Sequence, residues 1–483
     1  MKALLERLRL PLLCLLAASA PLGAWAGYHL EQPGTKTAFF LGAFDLVVWV
    51  ALAAVLLSRF LSAGVLGVFR ALWRAPLAGW LLAALVLWSG LVWPRMVGAR
   101  FSGDEPASVL AVLKELLQTA EYAVAALVAA AELIRFEDRA RRAALASVAG
   151  ACVLIMAVGV VQYFSGRSDF QVGSLLGGHS GAGEFLPNRN AFGAFLAVMV
   201  PFAATMALGR AGVCCCWWNL GWAGLAAAGV LLVLSGGALL GVVAGCLAGA
   251  AVLGRRKLAL AAAALAVLLA AAQALPRHGL SAAVESVHPV RRNPRDGEPL
   301  LAVRYLRYAS ELTVLSRGLS GGEGAWKLFF GLGPGGYGRE KNLRPNLDSR
   351  FAETVGQTDV PENFDVLANE PNSFDLWLGQ AAVLGLPGLA CLLWLFAWWG
   401  GAALRTWKRS GLDSPERSVA AAAFAAVVGA ALAGIFTSPW IQGAGPTLVV
   451  LVAAAMPPPV GRGQERPGPD PAGPGGGSGA VRV

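Results

Sequence analysis

Apolar residues recur along this chain in long runs, broken by short polar segments that are mostly basic. A run of about 20 apolar residues spans hydrocarbon as an α-helix. Residues 10–25, 38–57, 77–93, 108–134, 143–164 and 191–208 fit that description, as do 220–234, 237–253, 258–275, 376–399 and 419–436, with a shorter run at 447–456. Lys and Arg cluster between alternate runs: Arg59, Arg70 and Arg74; Arg135, Arg139, Arg141 and Arg142; Arg210; Arg255, Arg256 and Lys257; Arg405, Lys408, Arg409 and Arg417. Loops rich in Lys and Arg stay on the cytosolic side. The pattern therefore predicts about twelve spanning helices with both termini inside.

Lys2, Arg7 and Arg9 precede the first run, which closes on Ala24-Trp25-Ala26. Such a segment is either a cleaved signal peptide or a first spanning helix, and a retained helix is expected. The chain beyond residue 456 is rich in Pro and Gly with almost nothing apolar to bury, and is expected to be disordered.

Composition agrees with the pattern. Of 483 residues, 56% are hydrophobic and only 14% charged, more apolar surface than a soluble domain can hide. The net charge of +10 resides in the inter-span clusters, which removes nucleic acid as a partner. The seven cysteines show no zinc spacing and no disulfide framework. Cys214, Cys215 and Cys216 could be acylated at a membrane boundary, but packing at a helix end is expected.

One polar stretch, residues 276–375, interrupts the apolar chain and falls on the outer side of the predicted topology. Basic residues lead in its first part and acids in its last, from Asp348 to Asp375. Tyr305, Tyr308, Leu312 and Leu315 recur at helical spacing, which puts Arg304, Arg307 and Glu311 on a neighbouring face. Two arginines one turn apart can grip a diphosphate bidentately, or they can line a solvated face paired internally with Glu311. The run from Phe329 to Gly338 is glycine-rich, but no Gly-Lys-Ser/Thr follows it. It is not a nucleotide P-loop; its glycines suit either a close backbone approach or an ordinary turn. In the fourth span Lys114 and Glu115 fit the headgroup layer, whereas Glu121 falls deeper, where an ionisable group is costly.

Three motifs together resemble the O-antigen ligase and polymerase superfamily. They are Asn188-Arg189-Asn190-Ala191-Phe192-Gly193 opening a span, Phe330-Gly331-Leu332-Gly333-Pro334-Gly335 in the large outer loop, and Pro371-Asn372-Ser373-Phe374 running into Leu384-Gly385-Leu386-Pro387-Gly388. The resemblance covers nearly the whole chain. It implies an all-α polytopic membrane protein of the bacterial inner membrane, with about twelve transmembrane helices and one large, partly helical periplasmic loop. Residues 1–275 would hold helices one to nine, 276–375 the periplasmic loop, 376–456 helices ten to twelve, and 457–483 a cytoplasmic tail. The implied activity is that of a GT-C-type glycosyltransferase, passing a glycan from an undecaprenyl-diphosphate carrier to a lipid or glycan acceptor. No cofactor, nucleotide sugar or metal is expected; membrane lipid is an expected partner.

Two positions depart from the family pattern. Where the family commonly has a His-Asn pair, this chain reads Glu370-Pro371-Asn372-Ser373, and the turn between spans seven and eight reads Ser235-Gly236-Gly237 without the usual arginine. Glycosyl transfer from a diphosphate needs cations on the leaving group and a base at the acceptor hydroxyl. Arg189, Arg304 and Arg307 suit the first task. For the second, Glu370 stands beside the missing His, and His288 lies in the same loop. A catalytically silent glycan-lipid-binding member and a membrane transporter are the competing expectations.

Overall fold

The structure, a computed structural model, describes residues 2–22, 27–31, 38–42, 46–57, 120–122, 124–125, 141–159, 189–209, 216–232, 236–254, 329–331, 376–412, 414–435 and 444–456, with positions 60, 61, 64, 84, 88 and 161. These residues are helical apart from one short hairpin and the turns and bends at helix ends. The elements in chain order are α1 (Lys2–Leu22), β1 (Gly27–Glu31), β2 (Ala38–Gly42), α2 (Leu46–Leu57) and α3 (Arg141–Gly159). They continue as α4 (Arg189–Leu208), α5 (Cys216–Leu232), α6 (Gly236–Val252), α7 (Trp377–Arg409), α8 (Pro415–Ala433) and α9 (Ala444–Ala455).

Three of these helices, α3, α7 and α8, are long and apolar enough to cross a membrane; α2 and α9, with the apolar parts of α4 and α6, are shorter. The apolar run at 258–275, all but positions 84 and 88 of the run at 77–93 and most of the run at 108–134 lie outside the described residues, as does nearly all of 276–375.

The expected second span, 38–57, is divided. Its first residues pair antiparallel with Gly27–Glu31, in the register Gly27 to Gly42 and Glu31 to Ala38, and helix begins only at Leu46. A short apolar run such as Ala38-Phe39-Phe40-Leu41 carries no periodicity that separates strand from helix, and its aromatic content favours strand once a partner is near. Arg9 also departs from its expected place on the flank of the first span: it lies within α1 and is only 1% exposed.

Helices α4, α6 and α8 form the centre, and their contact is a set of ladders with a four-residue step. Gly241, Gly245 and Gly249 of α6 face Ala197, Pro201 and Thr205 of α4 on one side and Ala433, Gly429 and Ala425 of α8 on the other. A Cβ added at Gly245 would lie 2.6 Å from the Pro201 ring and 2.7 Å from the Ala425 carbonyl oxygen. Lipid tails are as apolar as leucine, so burial alone does not drive such helices together. Small residues do so by letting backbones approach closely. Helix α9 lies against α4, α8 and α1, and all twelve of its residues are buried. A helix apolar on every side belongs in a core.

The ladders also set direction. Gly241 meets Ala197 and Ala433, whereas Gly249 meets Thr205 and Ala425, so α4 and α6 run parallel and α8 runs against them. The Leu376 amide donates to the Gly434 carbonyl at 2.7 Å, which brings the start of α7 to the end of α8. At the opposite end, Arg141 at the start of α3 pairs with Glu416 at 2.8 Å, and Gly209 closes on Ser418. One end of the bundle therefore holds Arg189, Gly236, Leu376 and Gly434. The other holds Arg141, Arg142, Lys408, Arg409 and Arg417.

Candidate functional site around a broken helix

Helix α7 is 33 residues long, roughly 50 Å at 1.5 Å per residue, which exceeds the ~30 Å hydrocarbon core. It is not continuous. Gly385 has φ 71° and ψ −176°, outside the helical region, and Pro387 follows two residues later. Positive φ is open to glycine because it has no Cβ, and proline supplies no N–H to the carbonyl four residues back, that of Val383. Leu384-Gly385-Leu386-Pro387-Gly388 thus encodes a break with freed backbone acceptors.

Lipid cannot satisfy such backbone, so a break inside a helix long and apolar enough to span a membrane must be covered by protein or line a cavity. Two segments cover this break. Trp88 donates its indole Nε1–H to the Leu384 carbonyl at 2.7 Å. From the long polar stretch, Phe329-Phe330-Gly331 closes on the same point. Gly331, also at φ 71°, lies so near that a Cβ there would strike Gly385 N at 2.5 Å, and a Cβ on Gly385 would strike the Phe329 carbonyl. The two glycines are mutually required, since each leaves the space the other backbone occupies.

Aromatic rings complete the contact. Trp88 stacks on Phe330 with centroids 5.5 Å apart and planes 5° from parallel, and meets Phe329 edge-on at 5.6 Å and 81°. Phe329 and Phe330 are themselves perpendicular at 5.1 Å. Edge-to-face and offset-stacked pairs add roughly 0.5–1.5 kcal/mol each beyond area burial. Replacing Trp88 with phenylalanine should keep the stacking and remove the N–H bond, a loss of about 1 kcal/mol. Hydrogen exchange at residues 329–331 and 383–386 should rise in that variant; unchanged protection would contradict the contact.

Of the predicted site residues, Arg189 and Asn190 form the first turn of α4, at the same end of the bundle as Leu376. Asn188, His288, Arg304, Arg307, Gly333, Gly335, Glu370 and Asn372 lie outside the described residues. Where the chain enters α7, Leu376 is fully buried and Trp377 Nε1 donates to the Ala431 carbonyl at 3.0 Å. Trp377 also packs edge-on against Phe396 at 5.2 Å. The junction six residues after Glu370 is therefore held firmly against α8.

No protein-family model matches the chain, and no curated protein matches it. What the structure adds to the sequence motifs is spatial: it joins the Phe330-Gly331 segment to the Leu384–Gly388 segment.

Trp88 was not among the predicted site residues. An aromatic near the end of an apolar run reads as an interfacial anchor, and nothing in its neighbours announces a hydrogen bond to a helix break. Glu121 has a structural account. It is 7% exposed and accepts the Trp49 Nε1–H at 3.0 Å, so its burial is accompanied by a specific polar contact, as a buried carboxylate requires.

Proposed function

We propose that this chain is a multi-pass glycosyltransferase that moves a glycan from an undecaprenyl-diphosphate carrier to a lipid or glycan acceptor at the periplasmic face of the bacterial inner membrane. The supporting observation is the meeting of Phe329-Phe330-Gly331 with the Gly385 break. Two segments that carry the O-antigen ligase resemblance, remote in sequence, are mutually shaped to fit, which chance motif matches would not require.

In this proposal Arg189, at the start of α4, and Arg304 and Arg307 in the loop hold the diphosphate, since guanidinium groups grip phosphate oxygens bidentately and stay charged. Asn188, Asn190, Gly333, Gly335 and Asn372 shape the surrounding motif. Glu370 takes the proton of the acceptor hydroxyl as the new glycosidic bond forms and the C–O bond to the diphosphate breaks, with His288 as the competing base.

The deciding experiment supplies purified protein with an undecaprenyl-diphosphate glycan and an acceptor and follows carrier release and product. Arg189→Ala, and the double variant Arg304→Ala with Arg307→Ala, should each weaken donor binding by about 2–5 kcal/mol. Glu370→Gln should stop transfer with donor binding retained. Wild-type turnover in Glu370→Gln, with loss in His288→Ala, would move the base to the histidine. Wild-type donor binding in both arginine variants would remove the diphosphate assignment.

The break at Gly385 also favours a second reading, because interrupted helices bind substrates in secondary transporters. A transporter would move the glycan carrier across vesicles without forming a glycosidic bond, an outcome the same preparation distinguishes.

A further inference from the structure

We propose that the end of α7 remote from the helix break is a binding site for an anionic phospholipid. Arg405, Lys408 and Arg409 stand at i, i+3 and i+4, so they share one face of the last turns, and all three are exposed. Cations at this spacing repel one another. The helix C-terminal dipole favours them in part, but the described acid at this end does not reach them. Glu416 is held by Arg141 at 2.8 Å, and Arg417 is drawn over the Trp407 ring at 4.7 Å. None of the three cations pairs with a described acid; Asp413 lies outside the described residues.

The site is built rather than loose. Both the amide and the hydroxyl of Ser410 donate to the Thr406 carbonyl, at 2.9 Å each. The Ser414 amide donates to Gly411 O at 3.1 Å, and the Ser414 hydroxyl caps α8 by accepting from the Glu416 amide. These bonds fix the turn after α7 and the direction in which its last cations project.

A phospholipid fits better than free phosphate because of what leads to the cations. Leu386, Ala390, Leu393 and Ala397 are exposed at steps of three and four along α7, with Trp394 beside them, and the same stripe continues through Gly401 to Arg405 and Lys408. An acyl chain lying on this stripe would bring its phosphate to the cations. Leu412, 76% exposed just beyond, would enter the headgroup–acyl boundary from the turn.

The test uses the full-length protein in nanodiscs of phosphatidylcholine alone or mixed with phosphatidylglycerol. Mass spectrometry after release into mild detergent then counts retained lipid. Wild type should retain phosphatidylglycerol in preference to phosphatidylcholine. The triple variant Arg405→Gln, Lys408→Gln, Arg409→Gln, altered only at exposed positions, should lose that preference on the order of a hundred-fold, at the energy expected per cation near an anionic surface. Equal retention of both lipids by wild type, or undiminished preference in the triple variant, would overturn the proposal. Displacement of the lipid by millimolar-range inorganic phosphate, as opposed to salt of equal ionic strength, would assign the cations to free phosphate and overturn it as well. Glycan transfer plays no part in the readout, so the outcome is independent of the proposed activity.

Discussion

Gly245→Leu is expected to leave little folded, monodisperse protein, whereas Gly224→Leu, one helix away, should behave as wild type. At Gly245 a Cβ alone would stand 2.6 Å from Pro201 and 2.7 Å from the Ala425 carbonyl oxygen, so the new side chain must part α6 from both α4 and α8. Neither obstacle is the movable end of a long side chain: one is a proline ring in a helix and the other is backbone. Overpacking a core costs roughly 1–3 kcal/mol where neighbours can shift, and here two helices must shift at once. Gly224 has nothing within 4 Å of an added Cβ. Size-exclusion chromatography after a heating series gives the measurement. A Gly245→Leu protein that survives heating as well as Gly224→Leu would contradict the ladder packing of the three central helices.

Gly385→Val should have the second large effect, on the junction between the long polar stretch and α7. At φ 71° and ψ −176° a residue with a Cβ enters a region almost reserved for glycine, at a cost of about 1–3 kcal/mol; β-branching makes it worse, and the added atoms collide with the Phe329 carbonyl. Each 1.4 kcal/mol is a tenfold change in an equilibrium, so the closed contact should fall at least about tenfold in population relative to an open one. Two readouts separate its consequences. Hydrogen exchange should rise together at residues 329–331 and 383–386, and the proposed glycan transfer should fall with it. Raised exchange with unchanged transfer would detach the contact from the proposed activity, and unchanged exchange would remove the contact itself. Gly331→Val should reproduce the effect from the other side, since Gly331 has the same φ and faces the Val383 carbonyl.

Much of the helical part of this protein was legible in its sequence, because a bilayer makes length and apolarity sufficient conditions. The runs at 191–208, 220–234, 237–253 and 419–436 appear as α4, α5, α6 and α8 with boundaries shifted by a few residues. Ser414-Pro415-Glu416 announces the start of α8 locally, with a capping serine, a proline in the first turn and an acid near the helix N-terminus. The break in α7 was not anticipated in the expected span 376–399, although Gly385 and Pro387, two residues apart, carry its local signal.

Tertiary structure decided the relations between segments, because these depend on what a residue meets and not on what it is. Residues 38–42 were expected to belong to the helical span 38–57, and pairing with Gly27–Glu31 made them a strand instead. Arg9 reads as a flanking cation, yet packing against neighbouring helices buries it. Gly241, Gly245 and Gly249 announce a small-residue face, but not that Ala197, Pro201 and Thr205 would fill one side of it and Ala425, Gly429 and Ala433 the other. Gly331 suited either a close backbone approach or an ordinary turn, and the tertiary structure brings its backbone against Gly385. Close approach requires two partners, and each local sequence describes only one.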